Sequence, residues 1–566
     1  MFKNKSLLLL IAIVFLSAFS RLYHLDINPP SLYSDEVDIG YQVKSFLSTG
    51  KDYQGNKFPL QFHSFSDVRT SLPIYSTALV SFIPGVSLDL AIRLTPAIFS
   101  LLSIILIYFL TNNLFALFKI KTENGLEPGV WASLSLSLLP WHYTYSRIGF
   151  ELSMLFFFVS AGLFLYTRFL QNKNKTLLIL SLIVLSLVPM VYSTAKLSVI
   201  FYPLILFLIP GGYEFFKSKK AWVYLLIIFI PLGILFLNGG AGKRFSEISI
   251  FTDPTDSTEI DVLRQTDLGS DPPVGSTPDL NTKIVHNKII FIVNILTKNL
   301  INPLSGGFLF LQGDENQRHA VIGWGMLEKT LIIPLLFGLY FLVSGKHKRF
   351  LGLLIVLWFS ATVPAALTRD GFNHASRNFM MILPLVLLIS TGFFHLLKLS
   401  KLFTTLLTIL LLLESALYFH DYWYHYQYDS QRDWNYGLKE VILETNKFPD
   451  KSIIITRNYE PPLIYYLYYA DFPAIKFQEM YKNNTFLEKT NPKTQNIEGE
   501  KLSGTNIYFA SILDKNLPDP FLIKNGIYIL TYNEYLETNE PKHYLIDTIK
   551  FPTGLPVFYV LTTNKL

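Results

Sequence analysis

The sequence predicts a polytopic α-helical membrane protein of about eleven transmembrane helices, ending in a small α/β domain. Three observations predict it. Half of the 566 residues are hydrophobic and 15% are aromatic. Charged residues make up 16%, against about 25% in ordinary globular domains. Lys and Arg gather in short segments between apolar runs, so the charges punctuate the hydropathy. The net charge of +6 therefore reads as topology and not as nucleic-acid binding. With no cysteine, disulfides, thiol catalysis and thiolate metal sites are excluded.

The first apolar run, Leu7 to Tyr23, follows Lys3 and Lys5 and reads as an uncleaved span, not a signal peptide. Further runs of spanning length lie at roughly 89–115, 128–146, 150–169, 176–192, 194–212, 221–238, 329–344, 351–367, 378–397 and 402–420. Every second connection is short and basic: Lys119 and Lys121; Lys173 and Lys175; Lys217, Lys219 and Lys220; Lys346, Lys348 and Arg349; Lys398 and Lys401. An odd number of spans puts all of these on one side with Lys3 and Lys5, which is the cytoplasmic side by the positive-inside bias. Residues 1–420 then form the transmembrane domain, with external loops at 24–88 and 239–328, and residues 421–566 lie outside.

In the first loop, SLPIYSTALVSFIPG is short for a span and reads as a helix lying in the interface. The second loop holds an acidic Pro/Ser/Thr-rich run and then IVHNKIIFIVNIL, a second interfacial helix. After residue 420, strand-like SIIIT, TNIYFA and IYILTY alternate with helix-like DWNYGLKEVILE, the pattern of an α/β domain. No internal repeat is present.

The chain has no P-loop and no Rossmann glycine pattern. The cytoplasmic connections are too short for a nucleotide-binding domain. This argues against an ATP-driven pump and against use of a soluble nucleotide-sugar; a donor substrate comes from the membrane or from outside. The external segments carry the chemistry. SLYSDEVDIGYQV, just after the first span, holds Asp35, Glu36 and Asp38. Adjacent Asp35 and Glu36 diverge on a regular element, so one can enter a cleft while the other orients a neighbour. The plain alternative is a solvated acidic loop. Arg69 precedes the interfacial segment, either as a snorkelling side chain or as a ligand for a lipid phosphate. LPWHYTYSRIGFE brings His142, Arg147 and Glu151 together; Arg147 and Glu151 pair at i, i+4 if that helix is continuous. FLFLQGDENQRHA supplies Asp314, Arg318 and His319, and RDGFNHASRNF supplies His374 and Arg377. Arginines at short external connections oppose the topological bias, and an anionic ligand accounts for them economically. Histidines and carboxylates on that face could also bind a divalent metal, but no HxxxH or HxH spacing occurs, so the signal for one is weak, and no cofactor is expected. Glu414 lies within the last span and faces protein more readily than lipid.

Together these segments resemble membrane glycosyltransferases of the GT-C class, within it the bacterial branch of the protein O-mannosyltransferase and aminoarabinose-transferase superfamily. The matching pieces are SDEVDIGYQVKSFLSTGKDYQGNKFPLQFHSF, RLTPAIFSLLSIILIYFL, PWHYTYSRIGFE, GKRFSEISIF, FLFLQGDENQRHA and NHASRNFMMILP, covering most of residues 30–390. The resemblance implies a polyprenyl-phosphate sugar donor and metal-independent transfer to a protein, lipid or glycan acceptor at the outer face of a bacterial plasma membrane. It implies Asp35 as the leading catalytic base with Glu36 second, and basic residues that bind the lipid phosphate. Arg69 stands where the family has a basic residue ahead of a Pro-rich helix. A lipid-linked sugar flippase is the alternative; it calls for inverted repeats and broken helices at mid-membrane, and the sequence displays neither. A catalytically inactive acceptor-binding scaffold is the third reading.

Overall fold

The computed structural model describes residues 2–65, 68–120, 125–237, 249–269, 276–345, 347–489, 499–510, 526–537 and 544–563. Lys121, Lys346, residues 242–248 of the GKRFSEISIF segment, residues 270–275 of the acidic run and Leu566 lie outside them. Among the described residues, eight helices are long and apolar enough to cross a membrane. Seven of these are expected spans, and three further expected spans fold as shorter apolar helices, Lys175–Met190, Thr194–Leu208 and Lys329–Ser344.

Two expected elements differ. The run at 128–146 is not one helix but two, Pro128–Leu138 and Pro140–Tyr145. Pro140 has no N–H to donate and holds Leu139 at φ −48°, ψ 121°, outside the helical region. The segment read as a second interfacial helix forms the helix Lys288–Ile301, and the stretch Lys288–Leu311 also has the length and apolar composition of a membrane span. In sequence, the polar triplet Thr297-Lys298-Asn299 marks an apparent end to that segment. In the fold the triplet is absorbed: Asn299 Nδ2 donates to the carbonyls of Ala366 and Thr368 at 3.1 and 2.9 Å, and Lys298 Nζ lies 4.1 Å from the Phe372 ring centroid. Asn299 and Lys298 both find partners, so the α-helix runs past the triplet to Ile301.

The chain divides into two compact units. The first comprises Met1–Arg21, Pro96–Ser146 and Glu151–Phe419. It is built of apolar helices packed through small residues. A Cβ at Gly392 would lie 1.7 Å from the Pro334 carbonyl oxygen, so only glycine lets the Ile332–Ser344 and Ile382–Leu399 helices approach this closely. Glu414 has a structural partner here: its carboxylate accepts the Lys329 and Thr330 N–H groups at 2.8 and 2.9 Å, satisfying the orphan donors at a helix start.

The second unit comprises Leu22–Thr95, Arg147–Phe150 and His420–Leu566. A small hairpin in its first piece, β1 (Gln61–His63) with β2 (Val68–Thr70), sets Phe62 opposite Arg69. The frame of the unit is a seven-stranded sheet: β3 (Ile453–Thr456), β4 (Leu487–Lys489), β5 (Gly499–Leu502), β6 (Ile507–Ala510), β7 (Ile527–Thr531), β8 (Tyr544–Lys550) and β9 (Pro556–Thr562), in the order β4-β5-β6-β3-β7-β9-β8. The expected strand runs form β3, β6 and β7. β3 pairs in parallel with both β6 and β7. All four of its residues are buried, as an unbroken apolar run requires of a central strand covered on both faces. The helix Ser34–Thr49 joins the core of this unit through Val37, Tyr41 and Val43. It packs on the helix Leu463–Tyr469, where a Cβ at Gly40 would meet the Tyr468 ring at 2.5 Å.

Candidate active site

The acidic motif is the first turn of the Ser34–Thr49 helix, where carboxylates complement the helix dipole. Tyr33 precedes it in an extended conformation, and its N–H donates to Glu36 Oε2 at 3.3 Å. Glu36 therefore turns back into the protein and is fully buried. It also accepts the Gly149 N–H at 2.7 Å and pairs with Arg93 at 3.3 Å. Arg93 in turn donates to the carbonyls of Pro29 and Ser31 at 2.7 and 2.5 Å. Sequence reasoning missed Arg93, because it lies 57 positions from Glu36 inside an apolar run.

Asp35 and Asp38 stand three apart on one face. Arg69, delivered by β2, bridges them: its Nη2 donates to Asp35 Oδ1 at 2.5 Å and its Nε donates to Asp38. Asp38 is buried and also accepts the hydroxyls of Tyr53 and Ser64, each at 3.0 Å. Asp35 keeps 41% of its side chain exposed and accepts the Tyr33 hydroxyl at 3.1 Å. Burial works against the Arg69 charge, but the two carboxylates outweigh it and hold the guanidinium well above its ordinary range. Burial, then the charge of Asp38, pushes the Tyr53 hydroxyl well up, so it stays a donor.

Asp35, Asp38, Ser64 and Arg69 line a cavity of about 390 Å³. Its other walls come from the sheet and its loops, among them Arg457, Glu460, Pro462 and Phe486. Arg457 and Glu500 are loosely paired at 4.0 Å. Of the neighbouring carboxylates Asp35 and Glu36, the cavity takes Asp35. Nothing in the sequence points to Arg457, which belongs to the chain beyond residue 420.

The remaining candidates divide between the two units. His142 is fully buried in the first unit, with Nδ1 3.2 Å from Arg21 Nη2 and its ring stacked on Phe379. Arg147 is fully buried in the second unit, donating to the carbonyls of His24 and Asn28 at 3.1 and 2.9 Å beneath the Tyr422 ring. The single helix expected to carry both Arg147 and Glu151 is interrupted between Tyr145 and Leu152. Glu151 stands at the start of the Leu152–Asn172 helix, within electrostatic reach of Tyr192, as is Arg377.

In the first unit Asp314, His319 and His374 converge. His319 Nδ1 lies 2.9 Å from Asp314 Oδ2, and the two imidazole centroids are 5.0 Å apart. Burial would raise the Asp314 carboxyl, but hydrogen bonds from His319 and from the Ala375 and Asn316 N–H groups hold it below its usual value. Burial, with His319 and Arg377 nearby, pushes the His374 imidazole down to about 3. Arg377 donates to Thr368 Oγ1 at 2.7 Å and lies 3.8 Å from Asp370. Arg318 Nε donates to Asn316 Oδ1 at 3.3 Å.

Neither a family model nor a curated protein sequence matches the chain. Solved structures do. The oligosaccharyltransferase AglB from Archaeoglobus fulgidus, in complex with an inhibitory peptide and a dolichol-phosphate, aligns at 12% identity with a TM-score of 0.47, covering 82% of this chain and 64% of that one. This chain thus spans less than two thirds of the length of AglB. ArnT from Cupriavidus metallidurans bound to undecaprenyl phosphate aligns at 10% identity with a TM-score of 0.47, covering 98% of this chain and 97% of that one. Both neighbours are GT-C glycosyltransferases.

Proposed function

We propose that this chain is a membrane glycosyltransferase that moves a sugar from a polyprenyl-phosphate donor to an acceptor hydroxyl at the outer face of a bacterial plasma membrane. One observation carries the reading: a half-exposed carboxylate, Asp35, is held by an arginine and a tyrosine hydroxyl at the wall of a cavity. In the proposed step the acceptor oxygen attacks the anomeric carbon and its proton passes to Asp35. The bond from that carbon to the phosphate oxygen breaks, and the lipid phosphate leaves as an anion. Such a leaving group needs cations, not a proton. Arg69 pairs with Asp35 and aims it, and Arg457 is a cavity cation placed to face the departing phosphate. The alternative of a transporter predicts no covalent product. The test is transfer of label from a radioactive polyprenyl-phosphate sugar by purified protein to protein, lipid and glycan acceptors in turn. Binding of donor without any labelled product would sink the enzyme reading and favour the flippase.

Charge-assisted hydrogen bonds are each worth about 1.5–3 kcal/mol, or roughly ten- to a hundredfold in affinity. Arg457→Ala is expected to weaken donor binding by that order. Arg147→Ala is expected to lower thermal stability instead, because its guanidinium is spent on buried carbonyls. Equal donor affinity in Arg457→Ala and parent protein would remove the phosphate role.

Orientation is a separate expectation. A reporter placed after Lys348 should report the cytoplasm, and reporters near Ser257 or at the C-terminus the outside. A cytoplasmic C-terminus would place the Asp35 cavity, which the C-terminal chain helps to line, on the wrong side for a lipid-linked donor presented outside.

A further inference from the structure

We propose that Asp314, His319 and His374 form a binding site for one divalent transition metal, zinc by the character of its donors. The three residues offer one carboxylate oxygen and two imidazole nitrogens, and these donor atoms lie within 4.8 Å of one another. In a tetrahedral zinc site with bonds of about 2.0–2.1 Å, donors stand roughly 3.3 Å apart. Closure therefore asks only for small side-chain rotations. The pair His319 Nδ1 and Asp314 Oδ2, at 2.9 Å, is already at ligand spacing, and an entering metal takes the place of the proton between them.

The surroundings hold the donors as metal ligands are held elsewhere. Asp314 accepts the Asn316 N–H on Oδ1 at 2.9 Å and the Ala375 N–H on Oδ2 at 2.8 Å, which fixes the carboxylate. Ser376 Oγ lies 2.9 Å from His374 Nδ1 and helps to fix the orientation of that ring. His319 is buried and stacks on Tyr145, so its ring has little freedom. Arg318 and Arg377 are the charges that oppose a cation here. Asp370, 3.8 Å from Arg377, tempers one of them. Three protein ligands leave one coordination position open, the arrangement of a site that takes water or substrate and not of a closed structural one. No spacing signal marks the site in the sequence, because His374 arrives from a different connection, 55 positions after His319.

The site is independent of the glycosyl-transfer reading, and its test does not use activity. Full-length protein in detergent is stripped with a chelator and titrated with Zn²⁺ and with Co²⁺. Bound metal is read by elemental analysis, and geometry by the visible spectrum of the cobalt form. One metal per chain and a tetrahedral cobalt spectrum are expected. His319→Ala and His374→Ala should each weaken binding by at least about tenfold, with the metal-free variants still melting as folded proteins. A second grouping, His420, Asp421 and His425, is largely exposed. His420→Ala should leave the affinity as it was. No retained metal in the parent protein overturns the proposal, as does parent affinity in a His319→Ala, His374→Ala double variant, or loss of binding in His420→Ala.

Discussion

Asp35→Asn is expected to lower sugar transfer by about 10²–10⁴-fold, the usual worth of a general base. The change keeps the size of the side chain and removes its basicity. The amide that replaces the carboxylate still offers its oxygen to Arg69, and its NH2 can donate to the Tyr33 hydroxyl oxygen, so the cavity wall stays in place. Donor affinity should move little, since Asp35 carries no positive charge toward the phosphate. Glu36→Gln is the informative control. Glu36 is fully buried and turned away from the cavity, so its replacement should act on stability first and on turnover only through the fold. Turnover is measured with purified protein, a synthetic lipid-phosphate sugar and a working acceptor. Parent-level transfer by Asp35→Asn would remove the base from this position. A dead but normally folded Glu36→Gln beside an active Asp35→Asn would exchange their roles.

The second large effect is on stability. Arg93→Ala should destabilise the second unit by about 3–5 kcal/mol, the range found when one partner of a buried ion pair is removed. The loss leaves the Glu36 carboxylate buried with only the Gly149 and Tyr33 N–H groups to face it. It also strips the Pro29 and Ser31 carbonyls of their donor. Adding Glu36→Gln to Arg93→Ala should recover part of that loss, because the uncompensated charge goes. Thermal melting in detergent and resistance to protease check both. Parent stability in Arg93→Ala would mean that water reaches Glu36 and that the pair is not the anchor of the motif.

Periodicity and residue type make some features legible and leave others hidden. The Leu88–Leu117 and Phe379–Leu399 helices announce themselves by unbroken apolar length, and β3, β6 and β7 by short β-branched and aromatic runs. The Asp-Glu doublet is visible as an acidic interruption beside a span. What the doublet does is not visible, since the helix start that sends Glu36 inward and Asp35 outward depends on Gly149 and Arg93, far away in the chain. Arg147 reads in sequence as an external cation in a short connection; only the fold supplies the two carbonyls and the ring that bury it. The reach of the Lys288–Ile301 helix is hidden because partners for Lys298 and Asn299 come from residues about seventy positions later. Local pattern reports the elements; long-range pairing decides what polar side chains are for.

The make-up of the second unit also sets an order of events during synthesis. Its first piece, Leu22–Thr95, leaves the ribosome 325 residues before its last, His420–Leu566, begins (420 − 95). At about 5–20 residues per second that is an interval of roughly 16–65 s. Throughout it, Val37, Tyr41 and Val43 lack the tyrosines and strands that later cover them. A chain that stops before residue 420 carries the acidic doublet but neither the sheet nor Arg457, so the chemistry proposed for Asp35 cannot switch on until the last segment has been delivered.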